Sequence, residues 1–114
     1  MKLTFGQFGH DILNHPGRYS DQIVVEPTAT LRLRLDYPLD HPVLFERTHE
    51  DGSPWTKRQL VEAVRDAYRE VYGAAAHDQS LPLPENVWGH SIGNLILDEA
   101  ERGPDGVWVL VVGS

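Results

Sequence analysis

The stretch "TATLRLRLDY" at Thr28–Tyr37 alternates without a break: Leu31, Leu33, Leu35 and Tyr37 fall on one side of an extended chain, and Thr30, Arg32, Arg34 and Asp36 on the other. A period of two is the mark of a strand that buries one face and wets the other. The turn residues of "YPLDHP" (37–42) follow, and "VLFERTHE" (43–50) resumes an extended pattern, so the pair reads as a hairpin. Alternation sets Glu46 on the face opposite Phe45, where it meets Arg32 or Arg34 across the strands. An exposed pair of this kind contributes about 0.5 kcal/mol and sets register more than stability.

The period changes at "SPWTKRQLVEAVRDAYREVYG" (53–73). Leu60, Val64, Ala67, Tyr68 and Val71 recur at helical spacing, with Arg65, Asp66, Arg69 and Glu70 largely off the stripe. Thr56 with Gln59 three residues on makes a capping box, Trp55 before the cap is placed to staple onto Leu60, and Gly73 is placed to end the helix. The main helix is therefore expected at about 56–73. Beyond it, "AAAHDQSLPLPEN" (74–86) holds three helix formers and then two prolines, and 74–90 is expected as a connecting loop over the surface.

At the C-terminal end the turn signal "ERGPDG" (101–106) separates "NLILDEA" (94–100) from "VWVLVVGS" (107–114). The second run is rich in β-branched residues and reads as a buried strand. The first also fits a helix capped by Ser91 and stopped by Gly103, but the turn and strand after it want an antiparallel partner, so strand is preferred. "QIVVE" (22–26) offers one more strand. The expected fold is thus α+β and two-layered: an antiparallel sheet of four or five strands with one main amphipathic helix, in ββαββ order after an N-terminal segment, residues 1–21, expected at the periphery. At 114 residues the chain suits a single domain.

Hydrophobic residues make up 40% and charged residues 24%, ordinary globular usage that argues against wholesale disorder. With no cysteine, disulfides, thiolate metal sites and a cysteine nucleophile are excluded. No apolar run reaches signal-peptide or membrane-span length, and a cytoplasmic location with no membrane partner is expected. The net charge of −7 disfavours nucleic acid and favours a cationic partner. The helix at about 56–73 is itself slightly basic, so the acidity lies outside it.

Two stretches echo each other, "FGHDILN" (8–14) and "WGHSIGN" (88–94), identical at four of seven positions. Matches of this length between windows of one chain arise by chance about once, so duplication has little support. The second copy follows a proline-rich loop and precedes the C-terminal hairpin, which makes Trp88, Gly89 and His90, with Glu85 and Asn86 before them, the candidate binding residues. Trp88 either lids the core or lines a recognition surface, and the lid is the preferred reading. Trp55 and Trp108 read as core.

Six histidines supply the chemistry-bearing candidates. A divalent metal would draw on His10, His15, His49 and His90 with Asp11 or Asp51, but no spacing matches a ligand motif, so neither a metal nor a cofactor is expected. Acid–base catalysis would use His90 with Asp98 or Glu99, although Ser91 beside His90 lacks a nucleophile-elbow pattern. Phosphate-cradling motifs are absent. The chain therefore reads first as a small acidic binding or regulatory module, inhibitor- or immunity-like, that recognises a basic protein partner and carries no chemistry of its own. The alternative is a small hydrolase or divalent-metal enzyme built on His90 and nearby carboxylates.

Overall fold

In the computed structural model, which describes residues 1–114, Leu31, Leu33 and Leu35 are fully buried and Arg32 and Arg34 are exposed, as the alternation requires. In chain order the elements are β1 (Lys2–Thr4), β2 (His10–Asp11), β3 (Val24–Glu26), β4 (Thr30–Leu35), β5 (Val43–Thr48), β6 (Trp55–Thr56), α1 (Lys57–Tyr72), α2 (Ala74–His77), β7 (Ile96–Arg102) and β8 (Val107–Gly113). Single 3-10 turns occur at Pro16–Arg18 and Ile92–Asn94. The main sheet runs β1-β7-β8-β4-β5, with β2 also pairing on β7, and α1 packs on one of its faces. β3 and β6 form a separate two-stranded ladder.

The α+β, two-layer arrangement with one main helix follows the sequence pattern, and the sheet differs from it in two respects. It is mixed, because β4 and β8 run parallel, with Arg32 opposite Val107 and Arg34 opposite Val109. The two strands with the most apolar inner faces take the central positions, and their antiparallel hairpin partners, β5 and β7, lie outside them. It also has six strands, because the N-terminal segment adds β1 and β2 to the edge of β7, with Leu3 opposite Ala100 and His10 opposite Leu97. Phe5, Ile12 and Tyr19 join the core, so residues 1–21 are packed structure and not a peripheral segment.

Local chemistry explains the rest of the frame. The Gln59 N–H donates to Thr56 Oγ1 (3.2 Å) and the Thr56 N–H to Gln59 Oε1 (3.0 Å), completing the capping box of α1. Gly73, at φ +57°, ends that helix in a conformation that only glycine adopts cheaply. The three alanines after it form the short α2, where a loop is expected, because alanine is the strongest helix former. Trp55 is buried with Leu60 in the core, and its ring stacks on His49 at 3.8 Å while the indole N–H donates to the Ala29 carbonyl (2.8 Å). Arg32 Nε meets Glu46 Oε2 at 2.9 Å across β4 and β5. The region 96–102 is strand, antiparallel to β8. No helix is long and apolar enough to cross a membrane.

One buried carboxylate ties the two sheets together. Glu26, 1% exposed, accepts from the Trp108 indole N–H (3.1 Å) and Arg102 Nε (3.0 Å) on Oε1, and from the Thr28 N–H (3.1 Å) and hydroxyl (3.0 Å) on Oε2. Burial pushes its pKa up, but the Arg102 guanidinium, the Thr28 N–H, the Trp108 N–H and the Thr28 hydroxyl together hold it below the ordinary value of 4.5. Replacing Glu26 by Ala is expected to cost about 3 kcal/mol, read from urea midpoints, because Trp108 and Arg102 lose their acceptor together. Since the folded-state value is depressed, the stabilisation is complete above the unfolded-state pKa and disappears as pH falls through the folded-state one. Glu26→Gln should therefore flatten the acid limb of a stability-against-pH curve below about pH 4.5.

Candidate functional site

Trp88 is held by a short ladder between the 37–42 turn and the segment before it. Asp40 N–H donates to the Asn86 carbonyl (2.9 Å), Leu39 bridges Val87, and the Trp88 N–H donates to the Pro38 carbonyl (3.0 Å). The Asn86 side chain clamps His41 at both ends, accepting its N–H at 2.8 Å and donating to its carbonyl at 3.0 Å. Alternation along this extended run buries Val87 and turns its neighbours outward. Val87 thus covers the core, and Trp88, for which the lid is the preferred sequence reading, is instead 46% exposed.

The exposed indole stands on a supported platform. Its ring meets Tyr37 edge-on at 5.5 Å and His90 at 5.6 Å, and Tyr37 and His90 lie 5.5 Å apart. The platform is fixed from below by two buried tyrosines of α1: the Tyr68 hydroxyl donates to the Tyr37 carbonyl (2.7 Å), and the Tyr72 hydroxyl to the His90 carbonyl (2.8 Å). Burial pushes both phenols up, Tyr72 to about 12, so both remain neutral donors. The Tyr37 hydroxyl bonds Ser114 Oγ at 2.7 Å. Beside the ladder opens a cleft of about 470 Å³ whose lining includes Asp40, His41, Glu85 and Asn86. Neither Asp40 nor Glu85 belongs to an ion pair within the chain. The two unpaired carboxylates stand at one end of the ladder, where they suit an ammonium or guanidinium group, and the exposed indole stands at the other.

Of the candidate binding residues, Glu85, Asn86, Trp88, Gly89 and His90 fall in this one region, and Tyr37, Asp40 and Tyr72 join them. Tyr37 is visible in the sequence as the end of an apolar stripe, Tyr72 lies one residue past the helical stripe that ends at Val71, and no local signal pairs either with the loop. The catalytic and metal candidates scatter. His90 neighbours Tyr37 and Trp88 and is part of no ion pair, while Asp98 sits at an irregularity in β7, against Gly9. His15 accepts the Gly17 N–H, and His49 is bonded to Ser53 and stacked on Trp55. No three histidine or carboxylate side chains come together in a way that would hold a metal ion.

The two Gly-His stretches share a backbone as well as letters. Gly9 and Gly89 both have φ +70°, Ile12 and Ile92 are both buried, and Asn14 and Asn94 each donate their N–H three residues back, to Asp11 and Ser91. The first stretch also bonds the residue that follows the second, the Ile12 N–H donating to the Leu95 carbonyl. Their histidines part company: His90 lies in the surface cluster, and His10 is 2% exposed with its edge against Tyr19 and Nε2 unbonded. Burial, and next the Arg18 guanidinium, push the His10 imidazole below 6.5, against the opposing pull of Asp11.

Two outcomes follow from these placements. Val87→Ala is expected to cost about 2 kcal/mol and Tyr72→Phe about 1 kcal/mol, while Trp88→Ala stays within about 1 kcal/mol, all read from denaturant midpoints. For His10, the neutral form is the one the fold holds, so its folded-state value is lowered and stability falls as pH drops below 6.5. His10→Leu should be neutral or stabilising near pH 7.5 and remove the part of the loss between about pH 6.5 and 5 that His10 causes, checked by urea titrations across that window.

Comparison of the chain with protein-family models, with curated proteins and with solved structures returns no match, so its function has to be argued from these side chains.

Proposed function

We propose that this protein is a small acidic recognition module that binds a basic protein partner, in the manner of an inhibitor or immunity protein, and carries no chemistry of its own. The observation that supports this reading is the half-exposed Trp88, set on Tyr37 and His90 at one end of the ladder whose other end carries the unpaired carboxylates of Asp40 and Glu85. Tryptophan and tyrosine dominate interface hot spots because they bring large contact area with few rotatable bonds. Here the backbone at Tyr37 and His90 is already held by the Tyr68 and Tyr72 hydrogen bonds, which lowers the ordering entropy spent on docking. The net charge of −7 adds long-range attraction for a cationic surface.

The partner's contribution on this reading is a lysine or arginine that enters the cleft at Asp40 and Glu85 while its neighbours pack on the indole. Affinity capture with the immobilised chain at about 50 and 300 mM salt, with Trp88→Ala and Asp40→Asn/Glu85→Gln in parallel, tests it. The expected result is a basic protein retained by the wild type, lost on Trp88→Ala, and held less tightly at the higher salt. Retention of the same protein by all three chains, or binding indifferent to salt, rules the reading out.

A further inference from the structure

α1 covers one face of the sheet, and the other is open. On that open face the central strand β8 presents Val109 and Val111, 42% and 48% exposed, next to the partly buried Val107. A strand with one wet face normally alternates apolar and polar residues, whereas a strand apolar on both faces is the signature of burial on both sides. β8 is apolar on both faces, since Trp108, Leu110 and Val112 point into the core. Leu44 on β5, 59% exposed, extends the same surface.

The charges around this stripe are ordered by strand. The register places Lys2, Glu101, Val109, Arg34 and Leu44 in one row across β1, β7, β8, β4 and β5. Glu99 flanks Val111 on the β7 side, and Arg32 flanks Val107 on the β4 side. The strands flanking the valines are therefore acidic on the β7 side and basic on the β4 side, although Lys2 on β1 holds Glu99 at 3.3 Å in an exposed pair. Arg32 and Arg34 do hold Glu46 and Asp36, but these are exposed pairs, weak enough to exchange partners. Glu101 is in no ion pair.

We infer that this face is the contact surface of a homodimer, two copies of the chain packed sheet to sheet about a two-fold axis running along β8. Rotation about that axis sets valine on valine and carries the β4 side of one copy over the β7 side of the other, so Arg34 faces Glu101 of its partner twice in the dimer. Rotation about an axis across the strands would stack arginine on arginine, which the charge order opposes. Sheets pack face to face about 10 Å apart, within reach of an Arg–Glu pair whose stems cover the apolar centre.

Sedimentation velocity on the full chain, from about 1 to 100 µM, decides it. The wild type should sediment as a dimer at the upper end, Val109→Lys as a monomer, and Arg34→Glu and Glu101→Arg should each weaken association on the order of a hundredfold. Mixing Arg34→Glu with Glu101→Arg should restore a heterodimer, because each swapped residue then faces its opposite. Circular dichroism and urea unfolding check that every variant is folded, and if Val109→Lys is not, the two surface swaps still decide the outcome. A wild type that is monomeric throughout, a dimer that the substitutions leave intact, or a mixture that stays monomeric overturns the inference.

Discussion

Trp108 sets a condition that much of the surrounding structure satisfies. Its ring is fully buried in the core, yet its indole N–H is a polar donor that costs free energy if left unpaired there. Glu26 supplies the acceptor, and a buried carboxylate in turn needs a counter-charge and further donors. Arg102 and Thr28 provide them. One aromatic residue on β8 thereby fixes the end of β7 and the path of the chain between β3 and β4. Because β3 pairs with β6, the same carboxylate also locates the strand that leads into α1. An all-apolar substitute could fill the same volume, but it would not specify which strand lies where.

The same rule, that a buried polar tip must find a partner, connects the core to the candidate site. Tyr68 and Tyr72 lie one helical turn apart on the buried face of α1, and their rings contribute to the core as any large apolar group would. Their hydroxyls reach past the sheet to the carbonyls of Tyr37 and His90. The helix that stabilises the fold is thus also what positions the aromatic platform. Damage to the packing of α1 should consequently appear at Trp88 without any direct contact between them.

What the sequence discloses, and what it does not, follows the range of the forces involved. The β4–β5 hairpin, α1 with its caps and the C-terminal hairpin are legible because periodicity and turn chemistry act within a few residues. β1 and β2, at three and two residues, are too short to show a period, and their place is set by Phe5 and Ile12 packing far along the chain. The parallel β4–β8 contact is a matter of which strands occupy the centre, which no local pattern encodes. At the site, Glu85 to His90 is recognisable as part of a surface loop with an aromatic residue. That Val87 and not Trp88 covers the core depends on a bridge to Leu39, 48 positions earlier in sequence number. Glu26 and Arg102 are equally opaque, since nothing nearby in sequence distinguishes them from surface charges.

The open face and the platform are related through geometry. Tyr37 lies two residues past the C-terminal end of β4, and its hydroxyl is bonded to Ser114 just beyond β8, so the platform sits where these two parallel strands end. A two-fold axis along β8 preserves strand direction, and the same strand ends of both copies come to the same end of the dimer. The two Trp88 platforms would then face one way. On the proposed function, a partner that presents two basic sites, or two linked partners, would engage such an end with the second contact made at high effective concentration, which raises avidity without a new interaction. An axis across the strands would put the platforms at opposite ends and remove that gain. The arrangement that the charges on the open face favour is therefore also the one that would make the proposed recognition surface bivalent on a single side.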